Sequence, residues 1–192
     1  MENPQKVDQK IQEIEETFDL VLLVDQFEAS MVLLKNHLCW HSYEDLVSLK
    51  LNVRDEGYKS RVSEKSKNQL KSWLSSDYKL YQYFHEKFLQ KLQIFGHDKL
   101  QRELLEYQRL QSETNHRCQL RFLKSKYILP KSDRPWGAGI KPYTIDNPDK
   151  DCQLMGMQEL KFIKYMTILQ KEKAKKIMEE KNMTFVTSEI VE

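Results

Sequence analysis

The alternation of apolar and polar positions divides the chain into a few strongly patterned stretches. Asn3-Pro4 reads as an N-cap followed by proline at the first helical position. Val7, Ile11, Ile14 and Phe18 then share one face at helical spacing, so a first helix is expected to end near Thr17. Residues 18–24, FDLVLLV, form a continuous apolar run too short for a helix; the pattern predicts a strand buried on both faces, as in a parallel sheet. A polar turn follows, with Ser30 as a candidate cap, and residues 31–40 read as a buried helix. This strand–turn–helix order is an α/β signal.

Further along, residues 49–53 make a second, weaker candidate strand, and residues 54–71 read as loop with a short helix. Ser76 is a candidate cap for a long helix carrying Leu80, Phe84, Phe88, Leu92 and Phe95, which Gly96 should terminate. Asp98 is placed to cap a second helix, with Leu100, Leu104 and Tyr107, reaching about Cys118; the pair predicts a helical hairpin. Residues 125–152 hold four of the five prolines, at 130, 135, 142 and 148, and the close pair Gly137 and Gly139, which marks an ordered loop or a linker. A last helix is expected over 158–181, apolar at its start and ending in the charged run KEKAKKIMEEK, a solvated face.

Composition narrows the classes. The chain has 192 residues with 40% hydrophobic and 31% charged side chains, enough for one domain with a core. A net charge of +2 argues against a nucleic-acid partner, which requires a strong basic excess. The longest early apolar run is far below the roughly 18 residues of a membrane span, and the polar start MENPQKVDQK has no signal-peptide pattern. Either the protein is cytosolic or an N-terminal targeting segment precedes this chain. The three cysteines, at 39, 118 and 152, contain no CxxC pair and permit one disulfide and one free thiol. Cys39, in an apolar stretch beside Trp40, is expected to be buried. His37 and His41 have a metal-compatible i, i+4 spacing but no evident third ligand, so no metal is expected.

Residues 18–40, FDLVLLVDQFEASMVLLKNHLCW, resemble a segment of galactose 3-O-sulfotransferases of the galactosylceramide sulfotransferase type. There an apolar strand leads through an acidic turn with Phe and Ser into a helix ending in Leu-Cys-Trp. The matching positions here include Phe18, Asp19, Leu20, Asp25, Phe27, Glu28, Ser30, Leu33, Lys35, Leu38, Cys39 and Trp40. Residues 44–54, EDLVSLKLNVR, continue the likeness. The sequence departs at Ala29, where the family commonly has a carboxylate that either orients the acceptor or favours the helix N-terminus. Residues 77–96 resemble the family's aromatic helix, and residues 134–146, RPWGAGIKPYTID, its Trp-, Gly- and Lys-bearing loop.

The resemblance implies the α/β class: the C-terminal, mostly helical portion of a P-loop-type sulfotransferase fold with one or two strands. Residues 1–170 would belong to that domain and 171–192 to a charged helical tail. It implies transfer of sulfate from 3′-phosphoadenosine 5′-phosphosulfate (PAPS) to the 3-hydroxyl of galactose on a glycolipid or related glycoconjugate. It places the full-length enzyme on the lumenal side of the Golgi membrane through an N-terminal anchor outside this chain, and is compatible with a homo-oligomer. Gly137 and Gly139 would let backbone N–H groups approach the donor nucleotide, with Lys141 adding a point charge; the plainer reading is a surface loop. Cys118 and Cys152 bracket the loop and are either a lumenal disulfide or two small core residues. Asn182-Met183-Thr184 is a glycosylation sequon that matters only in the lumen. No Lys-Thr-rich turn after an apolar strand is found, so the donor-binding motifs and general base are expected outside the chain, no catalytic residue is assigned within it, and the chain is expected to be inactive alone. The other class compatible with the pattern is a non-catalytic helical interaction module.

Overall fold

The computed structural model describes residues 4–58, 62–135, 137 and 139–180. These fall into two compact units. The first holds the residues up to Leu49 together with Glu56–Arg117; the second holds Lys50–Asp55 and the residues from Cys118 onward.

The first unit is helical. Helix α1, Pro4–Thr17, packs against α4, Ser75–Phe95, by burying Ile11. Its outer edge is held by Lys79–Asp8 at 2.6 Å, Lys87–Glu15 at 2.7 Å and the Tyr83 hydroxyl donating to Glu15 at 2.6 Å. Helix α3, Glu64–Trp73, is capped by Ser63, whose Oγ accepts from the Ser66 N–H at 3.1 Å. Helix α4 follows after a break at Leu74; Ser76 lies inside it and is not its cap, because the chain enters α4 directly from the last turn of α3. Gly96 ends α4 at φ +91°. A Cβ added there would meet nothing within 4 Å, so it is backbone conformation, not space, that requires glycine. Helix α5, His97–Cys118, starts at the next residue, which places Asp98 in its first turn and not at the cap.

The run at 18–24 is not a strand. Residues 18–23 are irregular, and Val24 begins a 3-10 turn, Val24–Gln26, with 89% of its surface exposed. A strand buried on both faces needs ladder partners, and no strand among the described residues pairs with this segment. Its one deeply buried residue, Leu23, finds its partners locally. Phe18, expected to complete the apolar face of α1, is 59% exposed because the helix stops at Thr17. Helix α2, Phe27–His37, then carries Ser30 in its interior, fully buried, and Ser30 caps nothing.

Two adjoining cores form the centre of this unit. Leu23, Ala29, Leu33 and Phe88 make one, with Leu20, Leu92, Phe95 and Leu100 around it. Val32, Tyr43 and Tyr107 make the other, with the two tyrosine rings meeting edge to face at 5.5 Å. Ala29 therefore faces apolar side chains, so a carboxylate at this position would be desolvated and not a solvated helix-end charge.

The second unit has the two strands, and they are antiparallel. Strands β1, Leu120–Phe122, and β2, Tyr143–Ile145, pair in the register Leu120↔Ile145, Arg121↔Thr144 and Phe122↔Tyr143. Residues 49–53 do not form the second expected strand; only Arg54 bridges, to Ile140. Helix α6, Lys150–Met155, is capped by Asp149, whose carboxylate accepts from the Cys152 N–H at 3.1 Å. Helix α7, Glu159–Glu180, matches the expected last helix, and its charged end is exposed. The proportion of helix to strand is as expected; the positions and direction of the strands are not. Among the described residues, no helix is long and apolar enough to cross a membrane.

Candidate functional site

The Gly/Pro-rich loop is ordered by backbone pairing. The Asp55 N–H donates to the Gly139 carbonyl at 2.7 Å, and the Lys141 N–H donates to the Val53 carbonyl at 2.8 Å. These two bonds flank the Arg54–Ile140 bridge and fasten the loop to residues 50–55. Gly137 is exposed, and a Cβ there would meet only Ile140 at an ordinary 3.5 Å. The structure thus brings Gly139 and Lys141 onto one short bridge, with Gly137 just outside it. The Lys141 backbone N–H is thus used within the protein. Trp136, Ala138 and Asn182 lie outside the described residues.

Cys118, the last residue of α5, and Cys152, inside α6, form a disulfide with S–S 1.99 Å and Cα–Cα 5.1 Å, and both are fully buried. The bridge ties α6 to Cys118, two residues before β1 begins. Cys39, by contrast, is exposed, where the sequence pattern predicts burial. Helix α2 ends at His37, and Cys39 turns the chain at φ +54° while its N–H reaches the Asn36 carbonyl at 3.2 Å and the Trp40 N–H the Lys35 carbonyl at 3.0 Å. The residue lies past the helix end, in a C-terminal capping turn, so its side chain leaves the apolar face. His37 and His41 are both exposed, and among the described residues no three His, Cys, Asp or Glu side chains group as metal ligands.

A cleft of about 140 Å³ opens in the second unit between β2, the 3-10 turn Lys131–Asp133 and the α6–α7 connection. Its centre is Tyr143. The buried Tyr143 hydroxyl donates to the Gly156 carbonyl at 3.0 Å and accepts from Gln158 Nε2 at 2.9 Å. Burial raises the Tyr143 pKa and the Asp133 charge adds to this, against the opposing Gln158 hydrogen bond, so the hydroxyl stays a proton donor. Across the mouth, Lys161 from the first turn of α7 pairs with Asp133 at 2.8 Å. Gln153 donates from Nε2 to the Ile145 and Asn147 carbonyls at 3.2 and 2.7 Å, which joins α6 to the end of β2. Gly156 is required by space: a Cβ there would overlap Ile145 Cγ1. The sequence pattern gives none of these residues a role, although Tyr143 and Ile145 lie in the stretch 134–146 that resembles the family's loop. The pattern's one available signal is the glycine between two helical stretches, which reads equally well as a plain helix stop.

The first unit holds a charged network of a different kind. Lys35 on α2 bonds Glu103 on α5 at 2.7 Å, the Tyr43 hydroxyl donates to the same carboxylate, and Lys35 Nζ lies 4.4 Å from the centre of the Tyr43 ring. Burial pushes Glu103 up, but the hydrogen bonds from Lys35 and Tyr43 outweigh it and hold the carboxyl below its usual range. Burial, then the Glu103 hydrogen bond, raises Tyr43. Both shifts move the groups away from neutral pH, which suits a fixed cross-link between α2 and α5 and not a proton shuttle.

Residues 2–170 match the family model described as Galactose-3-O-sulfotransferase. Mouse galactose-3-O-sulfotransferase 2 is 32% identical over 176 residues, which is 85% of this chain and 44% of that protein. Mouse galactosylceramide sulfotransferase is 34% identical over 113 residues, 59% of this chain and 26% of its own length. The human galactosylceramide sulfotransferase is 38% identical over 99 residues, 52% and 23% of the two chains. No solved structure matches. The chain spans less than half the length of these relatives. The cysteine-stapled cleft around Tyr143 and the α2–α5 network around Lys35 both fall inside the matched span, and the chain belongs to the galactose-3-O-sulfotransferase family.

Proposed function

We propose that this chain is the late portion of a PAPS-dependent sulfotransferase that modifies the 3-hydroxyl of galactose on a glycolipid or related glycoconjugate. The observation that carries the reading is the family match across residues 2–170. In the reaction the galactose 3-oxygen attacks the donor's sulfur, the bond from sulfur to the 5′-phosphate oxygen breaks, and the hydroxyl proton passes to a base. The leaving product is 3′-phosphoadenosine 5′-phosphate.

The residues present fit only part of the donor. Lys141 supplies one flexible positive side chain close in sequence to two glycines, Gly137 and Gly139, which suits an edge contact to a single phosphate. A phosphosulfate cradle needs several converging donors. Glu103 and Tyr43 are each tied into an internal bond, which makes neither a base for the acceptor. The reading therefore makes the 192-residue chain inactive by itself. The Cys118–Cys152 disulfide supports an oxidising, lumenal compartment such as the Golgi. The family match across residues 2–170 favours this reading over a self-sufficient interaction module.

The test is a chimera. The part of mouse galactose-3-O-sulfotransferase 2 that precedes the matched region is joined to this chain and supplied with labelled PAPS and galactosylceramide or a galactose-terminated glycan. The chimera should form sulfated product and the isolated chain none. Product from the isolated chain would refute its inactivity, and a folded chimera inert on every galactoside would refute the function.

A further inference from the structure

We propose that the Tyr143 cleft of the second unit binds the neutral sugar ring of the acceptor, with hydroxyl groups held between Asp133, Lys161, Gln153 and Gln158. The inference rests on the galactoside reading above and assigns it a place.

Size is the first argument. At about 140 Å³ the cleft is well below the roughly 300–1,000 Å³ of sites for drug-sized ligands, so it suits one small ring and not a nucleotide. Charge is the second. Among the described residues, Asp133 and Lys161 are the only charged side chains in its lining, and they neutralise each other at 2.8 Å. A site for a multiply anionic donor would have a surplus of positive charge; this one suits an uncharged polyol. The third is the mixture of donors and acceptors. The Asp133 carboxylate accepts, Lys161 donates, and the Gln153 and Gln158 amides carry a carbonyl each beyond the N–H bonds they make internally. Sugar hydroxyls donate and accept at once and need such a set. Met157 and Leu129 add apolar surface for the C–H face of a ring.

The side of the cleft built from β2 and α6 is tightly held. Tyr143 is fixed by two hydrogen bonds, Gly156 leaves no slack against Ile145, and the disulfide anchors α6. Little ordering is needed on binding, which favours recognition of a small ligand. Gly137, Gly139 and Lys141 do not line the cleft, so donor and acceptor contacts would be made by different side chains of this unit.

The experiment is saturation-transfer NMR of methyl β-galactoside with the 192-residue chain, compared with the variants Asp133→Asn and Gln158→Leu. Circular dichroism and the melting temperature establish that each variant is folded. Wild type should bind the galactoside, and each variant about tenfold more weakly, as loss of one useful hydrogen bond implies. Unchanged binding in both folded variants would overturn the cleft assignment while leaving the galactoside reading intact. Absence of galactoside binding to the wild type at concentrations on the order of tens of millimolar would also overturn it. Displacement of the sugar by 3′-phosphoadenosine 5′-phosphate, together with nucleotide binding lost in the variants, would make the cleft a donor site and refute the proposal. If methyl glucoside and mannoside bind as well as galactoside and all weaken in the variants, the cleft is a sugar site and it is the galactose reading that fails.

Discussion

The Ser30 hydroxyl takes up both backbone groups of Leu23, accepting from its N–H and donating to its carbonyl, each at 3.0 Å. One side chain from inside α2 thereby does for Leu23 what a neighbouring strand would have done. The Gln26 N–H also reaches the Leu23 carbonyl at 3.1 Å, so the N–H is the group that depends on Ser30 alone.

Ser30→Ala should leave that buried N–H without a partner. The expected loss is about 1–3 kcal/mol, and urea titration should show a lower midpoint with an unchanged slope. A loss within error would mean that water or a backbone shift satisfies Leu23.

Lys35→Met should destabilise by about 2–3 kcal/mol, less than for a fully buried pair because the Glu103 side chain keeps 23% of its exposure. The pH dependence is the sharper readout. Glu103 has a folded pKa below its unfolded value, so its contribution is present above the ordinary glutamate range and is lost as pH falls through the folded pKa. Wild type should lose this increment on acidification. The variant should show a smaller acid-side slope, because the cation that holds the carboxyl down is gone.

Opening the Cys118–Cys152 bridge releases a separation of 34 residues, worth about 4 kcal/mol on the loop-entropy account. Cys118→Ala with Cys152→Ala should lower the melting temperature, and a reducing agent should reproduce the shift in wild type but not in the double variant. A thiol titration of denatured, unreduced protein should find one free thiol, Cys39.

Cys39→Gly should stabilise by about 0.5–1 kcal/mol, because the position sits at φ +54° after a helix end, where an L side chain is strained. The exposed thiol contributes no packing to lose. A fall in stability, measured by thermal melts in reducing buffer, would contradict the strain argument.

Helix positions were legible because they depend on neighbours a few residues away. Pro4 opens α1 where expected, Gly96 separates α4 from α5, and α7 lies within one residue of its expected start. The family was legible too, since residues 18–54 carry its signature whatever backbone they adopt. The errors lie where a residue's state depends on partners distant in the chain. An apolar run such as 18–24 has no periodicity to tell strand from packed coil, and without a ladder beside it the backbone settles on Ser30 instead. The same limit hid the site. Asp133, Tyr143, Gln158 and Lys161 are ordinary as letters, and only the pairing of β1 with β2, the disulfide and the turn at Gly156 bring them around one cleft. Local order and ancestry were thus written in the chain's own pattern, while strand pairing, the exposure of Cys39 and the cleft were decided by three-dimensional packing, because hydrogen-bond partners and steric neighbours exist only once the backbone has folded.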